Sequence, residues 1–287
     1  MDTKFLESLI AVVEAGSIAN AARSQGLTAA AVSQRIRVLE TELDCDLLSR
    51  SAHAAAPTAA CLRILPAARA LVRDAANLGA HVDASGLSGP YRLGAISSAL
   101  LDHIPKIVRI FQDKAPKAEL SVRPGTSAAL YEDLLDGTLD AVIAVKPPFD
   151  LPKKLSFRLV EEQPLVHISP RSGDTGHEGD QILPWIVYDR QSWGGRLIWE
   201  ECGNRLSSGH VLCELDALET ILMMVVQGTG QAIVPLWRGV SEQEHLLHVV
   251  PVSGQGSVSR KMIFLQKVSS EKSALGDLVT SALQPVA

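Results

Sequence analysis

The sequence lacks the features of a membrane, secreted or metal-binding protein. No apolar run approaches the roughly 20 residues that a transmembrane helix needs. The N-terminal segment MDTKFLESLIAVVEAG carries three acidic residues rather than the basic start of a secretory signal. The four cysteines form no C-x-x-C pair, which predicts reduced and partly buried thiols. We therefore expect a cytoplasmic protein that has no membrane contact and no metal site.

The sequence also lacks a recognisable catalytic motif and a net positive charge. No Ser-His-Asp spacing, cluster of metal ligands or Gly-rich phosphate loop stands out, so we expect neither an enzyme nor a cofactor. The net charge is −5, and residues 1–88 carry eight basic against nine acidic side chains. A DNA-binding surface would therefore have to concentrate its positive charge locally.

What is present begins with three short helices in the first 58 or so residues. The length of 287 residues favours two domains. Gly16 and Gly26 are placed to end the first two helices, and Ser17 and Thr28 to cap the second and third. Two short helices followed by a third after a Gly-containing turn are typical of a helix-turn-helix.

The third helix, in the segment LTAAAVSQRIRVLETEL, has one apolar and one polar face. At about 100° per residue, its apolar residues form a single stripe (Val32, Ile36, Leu39 and Leu43). The opposite face and its flanks carry Ala30, Ser33, Gln34, Arg35 and Arg37. Gln can pair with adenine, and Arg with guanine or phosphate. A solvated amphipathic helix explains this pattern equally well when the segment is taken alone.

A small two-stranded wing and a long helix are predicted next. The alanine-rich segment around Pro57 suits two short strands, and a helix then runs from Ala59 to about Asp83. Its small and apolar residues alternate three and four apart, at Cys61, Ile64, Ala68, Leu71, Ala75, Leu78 and Val82. This spacing favours pairing with a second copy over packing on the helix's own domain. Gly86, Gly89 and Pro90 mark a domain boundary.

Beyond that boundary, strand-like and helical segments alternate, which indicates an α/β domain with largely parallel sheets and two lobes. Ligands of such sheets lie beyond the carboxyl ends of the strands. The candidate effector residues follow predicted strands at Ser97, Ser98, Thr126, Ser127, Val145, Arg190, Ser192, Trp193 and Thr229. The alternatives are ordinary helix caps for Ser98 and Ser127 and a surface turn for the segment around Trp193.

The segment from Phe5 to Leu65 resembles the LysR-type transcriptional regulators, with AGS, SQRI, LE and L..R at that family's spacing. The resemblance implies an N-terminal winged helix-turn-helix, all-α apart from a small β wing, over residues 1–58. A linker helix and hinge would follow over residues 59–88, and an effector-binding domain similar to type 2 periplasmic binding proteins over residues 89–287. Its first lobe would comprise residues 89–161 and 267–287, and its second lobe residues 162–266.

The same resemblance implies the roles of individual residues. DNA would be contacted by Ser17, Thr28, Ala30, Ser33, Gln34, Arg35, Arg37, Arg50 and His53. Dimerisation would use Ile64, Ala68, Leu71, Ala75 and Leu78. The three alanines that begin the third helix depart from the family pattern, so the operator sequence cannot be copied from relatives.

The function expected from these features is regulation of transcription by a small molecule. The partners would be a double-stranded DNA operator, a small organic acid, amino acid or aromatic acid, further copies of the chain as a dimer or tetramer, and RNA polymerase. One alternative is a thiol switch using Cys202 and Cys213, which the acidic neighbours of Cys202 disfavour. Another is a cytoplasmic solute-binding protein, for which the first 60 or so residues would serve no purpose.

Overall fold

The computed structural model of the protein describes residues 1–51, 54–78, 83–171, 183–252, 258–268 and 272–283. Its internal contacts divide the chain into two units. The first unit comprises Met1–Ala84 and Asp136–Thr138, and the second comprises Ser85–Leu135 and Leu139–Ala287. The division at Ala84 falls inside the expected linker and hinge segment.

The first unit contains the three short helices and the wing that the sequence predicts. Its elements are α1 (Thr3–Ala15), α2 (Ile18–Ser24), α3 (Ala29–Leu43), β1 (Leu48–Ser51), β2 (Ala54–Pro57) and α4 (Ala59–Asn77). Ser17 Oγ accepts from the Asn20 amide at the start of α2, and Thr28 Oγ1 from the Ala31 amide at the start of α3. The predicted caps are therefore confirmed.

The predicted breaks between these helices and the wing are confirmed as well. Gly16 and Gly26 have φ of +68° and +64°, in the left-handed region where glycine costs least. Strands β1 and β2 pair antiparallel, from Leu48 opposite Pro57 to Ser51 opposite Ala54. The tip of this wing, including His53, lies outside the described residues.

The apolar stripe of α3 packs into the core of the first unit. Val32, Ile36 and Leu39 are buried, together with Leu6 and Leu9 of α1. Leu43, at the end of α3, is only partly buried. The prediction of one buried and one outward face is therefore correct for this helix.

Helix α4 differs from its prediction, because part of its expected pairing seam is used inside the unit. Ala68 is 3% exposed and belongs, with Cys61, to the core that includes α1. Ala68 is therefore already packed inside its own unit, and its role in dimerisation stays a prediction. Leu71 and Leu78 are 51% and 66% exposed and remain available. The described helix ends at Asn77, and Val82 lies outside the described residues.

The second unit alternates strands and helices as predicted, and it contains more strands and helices than the sequence indicates. The strands are β3 (Ser88–Ala95), β4 (Lys117–Pro124), β5 (Ala141–Val145), β6 (Leu155–Pro170), β7 (Trp185–Tyr188), β8 (Val211–Leu215), β9 (Ala232–Pro235), β10 (Leu247–Pro251) and β11 (Ser259–Lys267). The helices are α5 (Ser97–Asp102), α6 (Ile104–Lys114), α7 (Ser127–Asp136), α8 (Trp193–Ser207), α9 (Leu218–Val226), α10 (Arg238–Glu242) and α11 (Ser273–Leu283).

The sheets are mixed rather than largely parallel, which corrects the prediction. One sheet has the order β10-β6-β11-β5-β3-β4, with β9 also paired to β6. Its β3-β4 and β3-β5 pairs are parallel, whereas every pair that involves β6 or β11 is antiparallel. Strands β7 and β8 form a separate parallel pair.

Two hydrophobic cores underlie the two lobes of this unit. One core forms around β3, β5 and α7, and the other around β7, β9 and α9. The long strand β6 contributes to both, with Leu155 in the first core and Leu165 in the second. The expected lobe boundary at residue 161 falls inside β6, which runs through both lobes. The buried part of β11, expected in the second lobe, belongs to the first core (Met262, Ile263, Phe264 and Leu265).

Within the described residues, no single helix is long and apolar enough to cross a membrane. Helices α1 and α2 meet this criterion only when joined, and they are bent by 118° at the break between them.

Candidate functional site

The outward face of α3 is the first candidate surface. Ala30, Gln34 and Arg37 are exposed, and Ser33 is partly exposed beside them. Because Ala30 and its neighbours carry no long side chain, the start of the helix can approach another surface closely. Gln34 and Arg37 then offer a bidentate amide and a guanidinium from the same face.

Arg35 has a structural contact that the sequence did not predict. Its Nη1 donates to Ser8 Oγ at 3.0 Å and lies 3.4 Å from the Lys4 carbonyl oxygen. Ser8 is completely buried in α1, and its hydroxyl also lies 2.9 Å from Gln25 Oε1. Arg35 therefore ties α3 to α1 through a polar network while part of its side chain stays exposed.

The remaining residues predicted to contact DNA lie at the starts of helices or in the wing. Ser17 and Thr28 use their hydroxyls as helix caps, which leaves them at the two helix N-termini where phosphate groups can bind. Arg50 lies in β1, opposite Ala55. The side chain of Arg50 and the whole of His53 lie outside the described residues.

A cavity of about 330 Å³ in the second unit is the other candidate site. Six of the nine predicted effector residues line it, namely Ser97, Ser98, Thr126, Ser127, Ser192 and Trp193. They come from the segments after β3, β4 and β7. The structure thus brings together side chains that lie almost 100 residues apart in the chain.

Several hydroxyls of this cavity also hold its walls in place. Ser127 Oγ accepts from the Val145 amide at 3.2 Å, which links α7 to the end of β5. Thr126 Oγ1 accepts from the Ala129 amide, and Ser192 Oγ from the Gly195 amide at 3.0 Å. The capping alternative is wrong for Ser98 and Ser127, whose hydroxyls accept from Arg260 and Val145, whereas Thr126 and Ser192 bond amides in the first turns of α7 and α8.

Trp193 forms part of the cavity wall and of an aromatic cluster. Its ring makes edge-to-face contacts with Tyr131 and Phe149, with centroids 5.7 and 5.6 Å away. The same ring lines a second cavity of about 620 Å³, whose lining includes Val145 and Lys261. Trp193 is partly buried and separates the two spaces, so both interpretations of this residue apply.

Three predicted effector residues lie outside the smaller cavity. Val145 lines the second cavity instead. Arg190 is held by Glu214, with Nε 3.0 Å from Oε1, and its guanidinium stacks 4.1 Å from the Trp199 ring. Thr229 is exposed in the turn after α9, where its amide donates to the Met224 carbonyl. Their positions along the sequence could not show these orientations.

Arg260 on β11 is a lining residue of this cavity that the sequence pattern did not predict. It is 1% exposed, and its Nε donates to Gln163 Oε1 at 2.8 Å and its Nη2 to Ser98 Oγ at 3.0 Å. Its Nη1 has no hydrogen-bond partner among the described residues. The sequence held one signal, since Arg260 shares the buried face of β11 with Met262 and Phe264.

Two further lining residues, Tyr188 and Asp216, interact with the charge of Arg260. Tyr188 is buried, and its phenol interacts electrostatically with both Arg260 and Asp216. Burial, followed by the nearby charge of Asp189, raises the pKa of Asp216. Burial lowers the pKa of Arg260. The cavity is therefore lined by a buried cation and by the carboxyl groups of Asp189 and Asp216.

One group of side chains among the described residues has the spacing of metal ligands. Asp102, His103 and Glu161 offer ligand atoms within 4.8 Å of one another. Burial and then Glu161 raise the pKa of Asp102 to about 6, and burial lowers the pKa of His103. Glu161 also accepts from Gln163 Nε2 at 2.9 Å, so this group continues the polar network of Arg260.

The cysteines are all free thiols. Cys202 is buried in α8, where burial and then Glu201 raise its pKa. Cys213 lies in β8 and is partly exposed. A raised pKa keeps the Cys202 thiol protonated, which opposes the reactivity that a thiol switch requires.

Comparisons with known proteins cover both units. Residues 3–62 match the bacterial regulatory helix-turn-helix of the lysR family, and residues 84–282 match the LysR substrate binding domain. The chain is 31% identical to the transcriptional regulator CbbR of Sinorhizobium medicae over 80% of this chain and 75% of CbbR. It is 25% identical to IlvY of Escherichia coli over 82% of each chain.

Solved structures share the fold along the whole chain. A full-length OxyR variant of Pseudomonas aeruginosa matches with a TM-score of 0.71 at 20% identity, over 99% of this chain and 94% of that one. CbnR in complex with its target DNA matches with a TM-score of 0.66 at 19% identity, over 98% and 100%. The curated relatives are regulators rather than enzymes, as expected. The chain belongs to the LysR family of transcriptional regulators.

Proposed function

We propose that this regulator reads an operator with the outward face of α3 and binds a small-molecule effector in the 330 Å³ cavity. The observation that carries the proposal is the cavity itself, where hydroxyls from three strand ends surround the buried Arg260. Such a concave site with few polar groups is typical of small-ligand binding. The protein would act in the cytoplasm.

The proposed DNA contacts fall into two groups. Gln34 and Arg37 are exposed on one face and would contact base edges, and Ser33 would lie beside them. Ser17 and Thr28 would place helix N-termini against phosphate groups, as Arg50 and His53 would from the wing. Arg35 would add positive charge while it holds α3 against α1.

The proposed assembly is a dimer that binds a near-palindromic site. Leu71 and Leu78 expose apolar surface on one helix, with Ile64 and Ala75 partly exposed along it. These four residues would pair with their copies in a second chain. The dimer would assemble further into a tetramer, and the protein would also contact RNA polymerase.

The DNA-reading half is tested by substituting Arg37. Duplexes are first selected from a random library with the wild-type protein, and their affinity is then measured by fluorescence anisotropy. Arg37→Ala should weaken binding by about 1–3 kcal/mol if Arg37 contacts a base. Arg63→Ala removes the same charge from the exposed surface of α4 and should change affinity much less. Unchanged affinity in Arg37→Ala would remove this residue from the interface.

The effector half is tested by a thermal-shift screen of small carboxylates, amino acids and aromatic acids. A compound that binds the folded protein raises its melting temperature by mass action. Ser98→Ala and Thr126→Ala should reduce the shift, because both side chains line the cavity. Equal shifts in both variants and the wild type would show that the ligand binds elsewhere.

A further inference from the structure

Arg260 is a buried cation that makes no direct ion pair with the described carboxylates. Its two hydrogen-bonded neighbours, Gln163 and Ser98, are both neutral. Among the described residues, no carboxylate oxygen lies within 4.0 Å of the guanidinium, and Nη1 has no acceptor. Burying a charge without a partner is costly, so a persistent buried charge indicates a missing anion. Since Arg260 lines the cavity, a ligand there can supply that anion.

The same cavity contains an acidic position close to Arg260. Asp216 lines the cavity together with Arg260, and the charge of Arg260 acts on the Asp216 carboxyl group. Asp189 also lines the cavity, and its charge disfavours ionisation of Asp216. A positive group beside Asp216 would relieve this repulsion. None of the described cations forms an ion pair with Asp216.

We propose that the effector is a small α-amino acid, whose carboxylate binds Arg260 and whose ammonium group lies toward Asp216. This inference rests on the proposed function of the cavity. An α-amino acid separates its two opposite charges by a single carbon atom, which suits a small cavity lined by both a cation and carboxyl groups. Simple acids would satisfy Arg260 but would leave their uncharged body beside Asp189 and Asp216.

The size and walls of the cavity limit the side chain of the amino acid. A space of about 330 Å³ is at the small end of ligand sites. Ile96, Pro124 and Trp193 supply apolar wall, and Thr126 supplies a hydroxyl. These residues favour a short aliphatic or hydroxylated side chain over a large aromatic one.

The test uses sets of three compounds that share one carbon skeleton. Alanine, serine, valine and leucine are each compared with the carboxamide that lacks the carboxylate and with the acid that lacks the amine. Thermal shift of the full chain identifies the set that binds, and calorimetric titration gives its affinities. We expect one amino acid to bind at least tenfold more tightly than both of its analogues.

Variants then assign the two charged contacts. Arg260→Met and Asp216→Asn should each weaken the amino acid at least tenfold, and Arg260→Lys should bind more weakly than the wild type but better than Arg260→Met. Arg158→Met and Asp113→Asn make the same charge changes at exposed positions outside the cavity and should bind normally. Because part of Asp216 is exposed to solvent, Asp216→Asn should fold even if an Arg260 variant does not.

Each result decides between the inference and the proposed function. The amino-acid assignment would be overturned if the acid that lacks the amine bound as tightly as the amino acid. It would also be overturned if only neutral or cationic compounds bound. In both cases the cavity would remain an effector site. Undiminished amino-acid binding in both Arg260→Met and Asp216→Asn would also overturn the amino-acid assignment. If no compound of the full screen shifts the melting temperature, the proposed function of the cavity fails and the inference fails with it.

Discussion

Two arginines in this protein make the same contact in different surroundings. Arg35 in the first unit donates to Ser8 Oγ, and Arg260 in the second unit donates to Ser98 Oγ, each at 3.0 Å. Both serines are buried. Arg35, however, keeps part of its side chain in solvent, whereas Arg260 is 1% exposed.

This contrast identifies which of the two charges needs a partner. Water solvates the exposed part of Arg35, so its hydrogen bond to Ser8 can be purely structural. The guanidinium of Arg260 has lost that solvation and gains only neutral acceptors. We therefore expect the Arg35 charge to stabilise the fold, and the Arg260 charge to serve a ligand.

Arg35→Met should produce the largest loss of stability. It removes a hydrogen bond from a charged donor and leaves the buried Ser8 with fewer partners, at a cost of about 1.5–3 kcal/mol. Amide hydrogen exchange of peptides from α1 and α3 measures this loss in the full chain. Arg37→Met, on the exposed face of the same helix, should leave the exchange rates unchanged. Equal protection in Arg35→Met and the wild type would contradict the structural role.

Arg260→Met should change the stability of the free protein by less than about 1 kcal/mol. Removing a buried, unpaired charge offsets the lost hydrogen bonds to Gln163 and Ser98. The four tryptophans all lie in the second unit, so urea unfolding followed by their fluorescence measures the effect there. A loss as large as that of Arg35→Met would mean that Arg260 is structural, and the two arginines would not differ in role.

The smallest expected effect on stability concerns His167, whose neutral ring accepts a hydrogen bond from a third arginine, Arg205. Gln231 donates to the Leu183 carbonyl, so its Oε1 faces His167 Nε2 at 2.7 Å and accepts its proton. The other ring nitrogen, Nδ1, lies 3.2 Å from Arg205 Nη2 and accepts from it. Protonation of Nδ1 would therefore break this contact and place two positive charges together.

The pH dependence of stability follows from the lowered pKa of His167, which burial causes first and Arg205 reinforces. The unfolded chain takes up a proton near pH 6.5, where the folded protein still holds a neutral ring. The neutral His167 ring therefore contributes fully to stability above pH 6.5. This contribution is lost as the pH falls through the lowered pKa of His167 in the folded protein. Urea unfolding between pH 7.5 and 5 should show a shallower decline in His167→Gln than in the wild type, and His248→Gln, at an exposed position, should keep the wild-type slope. An unchanged slope in His167→Gln would exclude this contribution.

The first unit could be predicted closely because its signals are local. Ser17 and Thr28 cap helices that begin one residue later, and Gly16 and Gly26 adopt φ values that the adjacent helix ends require. The stripe of α3 needs only a period of 3.6 residues. Ala68 shows the limit of such local signals, because the spacing of α4 predicts pairing with a second copy and does not show that Ala68 packs in the core of its own unit.

The cavity could be predicted only in part, because its chemistry depends on distant residues. Strand ends identify Ser98 and Thr126, since the order of strands and helices is visible in the sequence. Arg260 lies 162 residues from Ser98 and 97 from Gln163, and no local pattern predicts those contacts. The first half of β6 is hard to predict as well, because Phe157, Arg158 and Leu159 are all exposed and the segment lacks the alternation of a half-buried strand.

If the proposed function holds, a ligand bound to Arg260 controls the DNA binding proposed for α3 of the same chain. The sharpest test is the affinity of the full chain for its selected duplex, measured by anisotropy with and without the amino acid that binds most tightly. We predict that the amino acid changes the affinity or the footprint of the wild type and leaves those of Arg260→Met unchanged. Identical DNA binding with and without the amino acid in the wild type would contradict this coupling.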